Sequence, residues 1–315
     1  MLKLIFSLFF LFSLSAEELS QVQAEHSFSN TSDGLKLKEY DLEYRTHRRD
    51  LFWLYEDEAS KAHDFFLRVK KVDGEHLGEI DGTRFTLGYG RKWNESHNSE
   101  ISFGIHTLSY KNNSSKTPYF NFLQQYRAKL YTLEYSMTHD FYYLIGGVPG
   151  PYEEKLKSLK NSIRLVATPR DFLRIPVEIE YTKISGDNSR NRQSASILFG
   201  DSYPIWIWLG YRVERLSFDR LDSGYWSPDK FLAHGPHLEW AQTFFSNYTF
   251  KLSYLYSFIK ENDFASGNSY YLSSTFEYGN RNSLLLGFNV YRNKSMQESS
   301  EWWSEGGRVY LKYSF

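Results

Sequence analysis

The chain has 315 residues and a formal net charge of -1, so it is neither basic enough to favour nucleic acid nor acidic enough to indicate a solvating tail. It contains no cysteine, which excludes disulfides, thiolate metal ligands, a cysteine nucleophile and a lipid-modified cysteine. Aromatic residues make up 18% of the chain although its mean hydropathy is -0.54. A polar chain rich in Tyr and Phe is typical of a membrane β-barrel, whose strands alternate lipid-facing and lumen-facing residues.

Residues 1–16 have the features of a secretory signal peptide. Lys3 supplies positive charge, an apolar stretch follows it, and Ser15 and Ala16 offer a cleavage site. That stretch is too short to cross a bilayer as a helix. Residues 17–34 are polar with little periodicity, so we predict a short, poorly ordered periplasmic leader there.

From Leu35 onward, apolar and polar residues alternate with the period of two that β-strands require. The pattern is clearest at 173–181, 205–214, 250–258 and 284–290, and turn-forming residues separate these stretches. Closed bacterial barrels normally have an even number of strands, and roughly 17–18 residues for each strand and turn predict about sixteen, with fourteen as the alternative. We therefore predict an all-β fold, a transmembrane antiparallel up-and-down β-barrel over residues 35–315. Pro176 indicates a bulge in its strand, or two strands in place of one.

The chain ends in an alternating strand in which Val309, Leu311, Tyr313 and Phe315 share one face. A terminal Phe on such a strand resembles the signal that the outer-membrane barrel assembly machinery reads. The sequence thus predicts an outer-membrane location, with outer-membrane lipids and that machinery as partners. A secreted soluble β-sandwich is the alternative fold.

Three short motifs contain residue types that can carry chemistry. His97-Asn98-Ser99 resembles part of an outer-membrane phospholipase motif, but the following Asn-Gly is missing, which favours a solvated loop. His139-Asp140 is predicted to lie in a turn between two strands. His234-Gly235-Pro236-His237 has a metal-ligand spacing, yet Gly-Pro breaks the helix that such a site would use. We therefore predict no enzyme activity, metal or cofactor, and a membrane-embedded hydrolase is the weakest alternative.

The faces opposite the apolar ones carry charges of both signs and aromatic rings. A sixteen-stranded barrel is too wide for side chains to fill, so its inward residues would line an aqueous channel. Trp206 and Trp208 point inward by register, or else belong to the interfacial girdle, since a slip of one residue reverses the face. The predicted lumen and solute-contact residues are Trp206, Trp208, Arg212, Glu214, Arg174, Glu178 and Glu180.

A more specific motif is the stretch from Ser223 to Phe231, which reads SGYWSPDKF. It resembles the G-Y-[WYF]-S-P-x-x-[FY] segment in the C-terminal barrels of exopolysaccharide-export porins, the barrels of the cellulose and poly-N-acetylglucosamine secretion systems. The resemblance covers roughly Gly210 to Lys260 and implies a rigid loop or strand start, or else direct sugar contact. The residues carried over are Gly224, Tyr225, Trp226, Ser227 and Pro228.

The chain departs from that family in one respect. The exporters carry helical repeats ahead of the barrel, whereas no repeat of that kind is present here. The resemblance implies a pore for a polar solute, a saccharide or an exopolysaccharide. The difference from that family implies either that the barrel acts with a separate periplasmic partner or that it is a repurposed relative with another role. A non-conducting structural or surface-interaction barrel is the alternative function.

Overall fold

The structure is a computed structural model that describes residues 20–46, 63–111, 113–142, 155–201, 205–220, 227–245, 247–262, 267–279, 283–297 and 300–314. Within these ranges the chain forms sixteen antiparallel strands that close into one barrel. Each strand pairs with its neighbours in sequence, and the last strand pairs with the first. The predicted fold class is thereby confirmed, with sixteen strands rather than fourteen. The predicted signal peptide, residues 1–16, lies outside the described residues.

The strands are ten to sixteen residues long. The first eight are β1 Gln21–Thr31, β2 Lys36–Arg45, β3 His63–Glu75, β4 Glu79–Asn94, β5 His97–Tyr110, β6 Asn113–Ala128, β7 Tyr131–Phe141 and β8 Lys157–Arg170. The other eight are β9 Leu173–Ile184, β10 Asn188–Asp201, β11 Trp206–Phe218, β12 Phe231–Phe244, β13 Tyr248–Glu261, β14 Gly267–Gly279, β15 Leu284–Gln297 and β16 Ser300–Ser314.

The barrel closes where β1 pairs with β16, in a register that runs from Gln21 opposite Ser314 to Thr31 opposite Ser304. Closure leaves no strand edge with unpaired backbone groups, which would cost several kcal/mol for each group in hydrocarbon. An even number of antiparallel strands brings the start of β1 and the end of β16 to the same end of the barrel. We call this the terminal end, and we call the opposite one the far end.

The prediction of a leader over residues 17–34 is wrong for most of that segment. Gln21–Thr31 form strand β1, and the barrel therefore begins at Gln21 rather than at Leu35. Val22 and Phe28 are the only large apolar residues of this strand, so its alternation is weak in the sequence. Pairing with β2 on one side and β16 on the other fixes its conformation.

Pro176 lies within one continuous strand, β9, and not between two strands, and the ladder to β8 has a bulge beside it, where the register shifts between the pairs Ala167–Ile175 and Arg170–Leu173. Pro176 is paired with Val166 of β8. On the β10 side the ladder is interrupted around Pro176, because proline has no N–H to donate. The register is nevertheless the same at Val177 and at Arg174, on either side of the interruption.

The outward face of the barrel is apolar. Leu87, Ile105 and Leu209 are 58%, 60% and 59% exposed, and aromatic side chains such as Tyr211 and Tyr278 continue this surface. A face of this kind suits contact with lipid chains, with Tyr near the lipid–water boundary. In the part of the chain that the structure describes, no helix has both the length and the apolar character to span a membrane.

Two clusters of buried apolar side chains lie inside the far end. The first joins Leu35, Leu37, Val72, Ile80, Leu108, Tyr110 and Phe141. The second joins Tyr142, Leu156, Ile184, Leu216 and Phe218, with Phe231 packed against it. The inner wall at the far end therefore contains two apolar clusters beside buried polar side chains such as Asp140 and Asn188, whereas charged and hydroxyl-bearing side chains line much of the rest.

Candidate functional site

All seven residues predicted to line the lumen lie on the inner face. In β11 the alternate residues Ile207, Leu209 and Tyr211 are exposed to the outside, so Trp206 and Trp208 point inward. The two tryptophans therefore belong to the wall of the lumen and not to the interfacial girdle. Arg212 and Glu214 continue the same inner row, and Arg174, Glu178 and Glu180 form the corresponding row of β9.

Three of these residues, Glu178, Glu180 and Glu214, form ion pairs with a neighbouring strand, and Arg212 pairs with Glu214 of its own strand. Glu214 accepts hydrogen bonds from Arg192 at 3.0 and 3.1 Å and from Arg212 at 3.0 Å. Glu178 lies 3.7 Å from Arg192, and Glu180 is bonded to Arg190 and 3.7 Å from Lys160. The charges of these side chains neutralise one another. They therefore hold the strands of the wall together and give the wall little attraction for ions.

A second charged cluster lies on strands β2, β3 and β5, near the terminal end. The Arg45 guanidinium donates to Glu43 at 2.6 Å, to Asp64 at 2.7 Å and to Glu100 at 3.2 Å. The same group lies 4.2 Å from the ring centre of Phe66, a favourable distance for a cation–π contact. One cation is therefore held by three carboxylates and one ring.

A mixed aromatic and charged group lies on strands β9, β11 and β12. Arg174 reaches past β10 and β11 and donates to Glu239 at 2.7 Å, and its guanidinium lies 5.4 Å from the centre of the Trp206 ring. The rings of Trp206 and Trp208 meet edge to face with centres 6.5 Å apart. Trp208 is only 2% exposed, whereas Trp206 is half-buried, so Trp206 is the more accessible of the two.

The inner wall formed by β14, β15, β16 and β1 differs from the charged walls in its composition. It surrounds a cavity of about 720 Å³, within the range of about 300–1,000 Å³ that is usual for ligand pockets. Hydroxyl and amide groups make up much of its lining, together with four aromatic rings and the apolar side chains of Leu35 and Leu37. The neutral polar and aromatic residues are Ser27, Phe28, Ser29, Thr31, Tyr271, Ser273, Thr275, Asn289, Tyr291, Trp302 and Ser304.

The charged residues at this cavity are paired. Glu39 lies 2.9 Å from Lys70, and Arg308 lies 3.7 Å from Glu25. Asn289 donates to the hydroxyls of Ser273 and Thr275 at 3.0 and 2.8 Å. The cavity therefore offers hydrogen-bonding groups and ring faces without a dominant charge.

The sequence predicts a turn at Asp140. In the structure Asp140 lies near the end of strand β7, and its side chain points inward. Its carboxylate accepts a hydrogen bond from Arg84 at 2.8 Å and lies 2.5 Å from Nδ1 of His106. The backbone N–H of Phe141 donates to the same carboxylate at 2.8 Å. His106 is fully buried. This geometry fits a structural tie between β4, β5 and β7.

His97 and Ser99 lie at the start of strand β5 and not in a solvated loop. The indole N–H of Trp93 donates to the Ser99 hydroxyl at 2.8 Å, and the His97 ring lies 2.9 Å from the Gln124 amide. Both side chains are on the outward face, alternating with the buried Asn98. The Ser99 hydroxyl is therefore bound to the Trp93 indole and not poised as a nucleophile.

His234 and His237 lie on opposite faces of strand β12. His234 points outward, where its Nδ1 lies 2.6 Å from the Tyr211 hydroxyl, while His237 is buried on the inner face. Since side chains alternate along a strand, two residues three apart cannot hold the same metal ion. Within the described ranges, no group of three or more His, Asp and Glu side chains is placed to bind a metal.

The family-motif segment is only partly described. Gly224, Tyr225 and Trp226 lie outside the described residues. Pro228 is buried, and its carbonyl accepts a hydrogen bond from the backbone N–H of Phe218 at 3.0 Å, while Ser227 is half-buried.

In the predicted assembly strand, Val309, Leu311 and Tyr313 point outward and are 40–41% exposed. Phe315 lies outside the described residues. The three outward side chains add to the apolar outer face next to the barrel closure.

Sequence reasoning missed the partners of the charged wall residues. Arg190 and Arg192 of β10 form the ion pairs to Glu180 and Glu214. The alternation of β10 could have revealed them, because Ala195 and Ile197 belong to the outward face and Ser194 and Ser196 to the inner face. Arg190 and Arg192 lie an even number of residues from Ser194 and therefore share the inner face. The neutral cavity carries a weaker signal: small hydroxyl residues at alternate positions of β14.

The sequence matches no protein-family model and no curated protein sequence. Solved structures do match in fold. A bacterial polysaccharide outer membrane secretin has a TM-score of 0.74 with 9% identity, over 95% of this chain and 99% of the other. The CymD monoaromatic hydrocarbon channel has a TM-score of 0.51 with 10% identity, over 96% and 90%. CdiB from Acinetobacter baumannii also has 0.51, with 7% identity, over 93% and 60%. At these identities the likeness is one of fold: this chain has the sixteen-stranded barrel architecture of outer-membrane proteins.

Proposed function

We propose that the protein is an outer-membrane pore for a polar, uncharged solute, and that this solute is a saccharide. The observation that carries the proposal is the cavity on the inner wall of β14, β15, β16 and β1, which is lined by hydroxyls, an amide and the rings of Tyr271, Tyr291 and Trp302. Sugar hydroxyls both donate and accept hydrogen bonds, and the C–H faces of sugar rings pack against aromatic rings.

Two further observations support the proposal. The charges next to the cavity are paired, so the wall does not select strongly for an ion. The secretin with a similar barrel is named for polysaccharide, and residues 223–231 resemble the motif of exopolysaccharide-export porins. A separate periplasmic partner would then supply what the helical repeats of those exporters provide.

The test is planar-bilayer conductance of the refolded chain from Glu17 to Phe315, with and without neutral oligosaccharides. We expect stable conductance steps that the oligosaccharides block. Tyr271→Ala combined with Tyr291→Ala should weaken the block severalfold, because two ring faces are removed from the cavity.

The matched control is Tyr254→Ala, which removes an outward-facing ring and should leave the block unchanged. Trp206→Ala tests whether sugar also contacts the aromatic group on β11. Equal block in the wild type and in the Tyr271 and Tyr291 double variant would contradict the assignment of the cavity as the sugar site.

A non-conducting structural or surface-interaction barrel is the second candidate function. The two apolar clusters inside the far end favour it, because apolar side chains there oppose the passage of water and ions. A folded, heat-modifiable barrel that shows no conductance in any condition would favour this candidate over the pore.

A further inference from the structure

The outward face at the far end carries a row of cations that the proposed pore does not use. In strand β9 the apolar row ends at Tyr181, and the next outward residue is Lys183. The same step occurs from Val213 to Arg215 in β11, and it is repeated in β6 and β13. We call these four exposed residues the cationic rim: Lys116, Lys183, Arg215 and Lys260.

Among the described residues, no carboxylate neutralises the cationic rim. None of its four side chains forms an ion pair with a carboxylate of the described residues, and the outward faces of β6–β13 carry no Asp or Glu at the far end in the described ranges. The described acidic groups nearest the rim include Glu261, the last residue of β13, and residues of the turns beyond the strands. One of them, Asp219, accepts a hydrogen bond from the hydroxyl of Ser189.

Over the rest of the far end, the outer surface carries charges of both signs. On strands β3 and β4, Lys71 is paired with Asp81 and lies 3.2 Å from Asp73. On β16, Glu301 lies 2.8 Å from Lys294 of β15, and Glu305 adds a further acid. The outer surface at this end is therefore cationic over one arc and mixed in sign over the other.

The position of the rim relative to the membrane follows from the fold. Each cation stands one outward position beyond the last apolar side chain, which is where headgroups meet the hydrocarbon layer. Six of the seven connections at the terminal end are two to four residues long, as periplasmic turns are, the connection between β2 and β3 being the exception, whereas two connections at the far end, 142–156 and 219–230, exceed ten residues. The far end then lies at the outer leaflet.

We propose that the cationic rim binds the phosphates of lipid A, the lipid anchor of lipopolysaccharide in the outer leaflet. Arg215 of β11 and Lys260 of β13 both lie opposite Leu232 of β12, so two strand spacings, about 10 Å, separate them. A headgroup that carries two phosphates contacts two neighbouring cations at this spacing. Arg and Lys pair strongly with phosphate, and each adds to the attraction of an anionic membrane surface. The inference is independent of what the lumen passes.

The test compares three lipids on the detergent-solubilised full chain by native mass spectrometry: bisphosphorylated lipid A, dephosphorylated lipid A and phosphatidylglycerol. We expect the bisphosphorylated form to bind more tightly than both others, and added salt to weaken it. Equal binding of the dephosphorylated form would show that acyl chains alone bind. Equal binding of phosphatidylglycerol would overturn the assignment to lipid A.

Substitutions of the rim residues test whether the rim is the site that binds lipid A. The triple change Lys183→Gln, Arg215→Gln and Lys260→Gln should weaken lipid A binding by about tenfold or more, from the attraction that each cation contributes at a membrane surface. Heat-modifiable migration on gels shows whether this variant is folded. If it is not, Lys183→Gln and Lys260→Gln are tested singly, and each should weaken binding severalfold.

The matched control removes the same charge from the mixed arc, with Lys36→Gln, Lys38→Gln and Lys71→Gln. This control should change lipid A binding less than about twofold, because acids share that arc. An equal loss in the two triple variants would overturn the proposal, since binding would then follow net charge and not the rim.

Discussion

Asp140 joins three strands of the wall through one carboxylate. It binds Arg84 and His106 and accepts the N–H of Phe141, while the side chains of Arg84 and Asp140 are only 10% and 11% exposed. Removing one partner of a buried ion pair leaves an uncompensated charge. Replacing only one member of this cluster should therefore destabilise the barrel more than replacing the whole cluster.

We expect Asp140→Asn to lower the free energy of unfolding by about 3–5 kcal/mol, the usual cost of breaking a buried pair. The measurement is urea unfolding of the barrel in lipid bilayers, followed by tryptophan fluorescence. The control is Asp81→Asn, whose partner Lys71 is 30% exposed, and which should cost under about 1 kcal/mol. Equal losses in the two variants would argue against the tie.

At the scale of the strands, the contact between β10 and β11 depends on a glycine. Gly210 lies opposite Leu198, and a Cβ placed on it would lie 1.8 Å from the carbonyl oxygen of Ile197. That oxygen is part of the backbone, so relief would require the two strands to separate. Glycines are expected where a barrel strand bends closely past its neighbour.

Gly210→Ala should therefore destabilise the barrel by about 1–3 kcal/mol or more, the range for overpacking. The readout is the urea midpoint, together with the yield of folded, heat-modifiable protein. Gly82→Ala is the matched change on the inner face of β4, where the nearest atom would be 3.3 Å away, and it should cost less. A larger loss for Gly82→Ala would contradict the close approach at Gly210.

At the scale of the whole molecule, closure separates an apolar outer surface from an inner one that faces the lumen. The lumen wall and the cationic rim lie on opposite faces of the same strands, so changes in one should not disturb the other. Closure itself rests on the pairing of the first and last strands, in which Ala24 lies opposite Leu311 and both point outward.

The closure can be tested by disulfide trapping, because the chain has no cysteine of its own. Opposite residues on one face have Cβ atoms close enough for a disulfide after small adjustments. Ala24→Cys with Leu311→Cys should form one on mild oxidation, which appears as faster migration of the denatured, non-reduced chain on a gel. Ala24→Cys with Tyr310→Cys should not, since Tyr310 points into the lumen. Cross-linking of the second pair alone would indicate a different register.

The sequence by itself determined the fold class, the approximate strand number and the inward face of β9 and β11, because period-two alternation is a property of each strand alone. It did not reveal β1, whose outward face is weakly apolar and whose conformation depends on pairing with β2 and β16. Nor did it place Asp140 beside Arg84 and His106, since these residues come from three strands.

The tertiary structure also decided which charges neutralise one another and where a neutral cavity is left. Arg174 meets Glu239 only because curvature brings β9 within reach of β12. The row of hydroxyls around the cavity is formed by β1, β14, β15 and β16, and barrel closure alone makes the first of these strands a neighbour of the last. Alternation assigns each side chain to a face, whereas strand pairing and closure assign its neighbours.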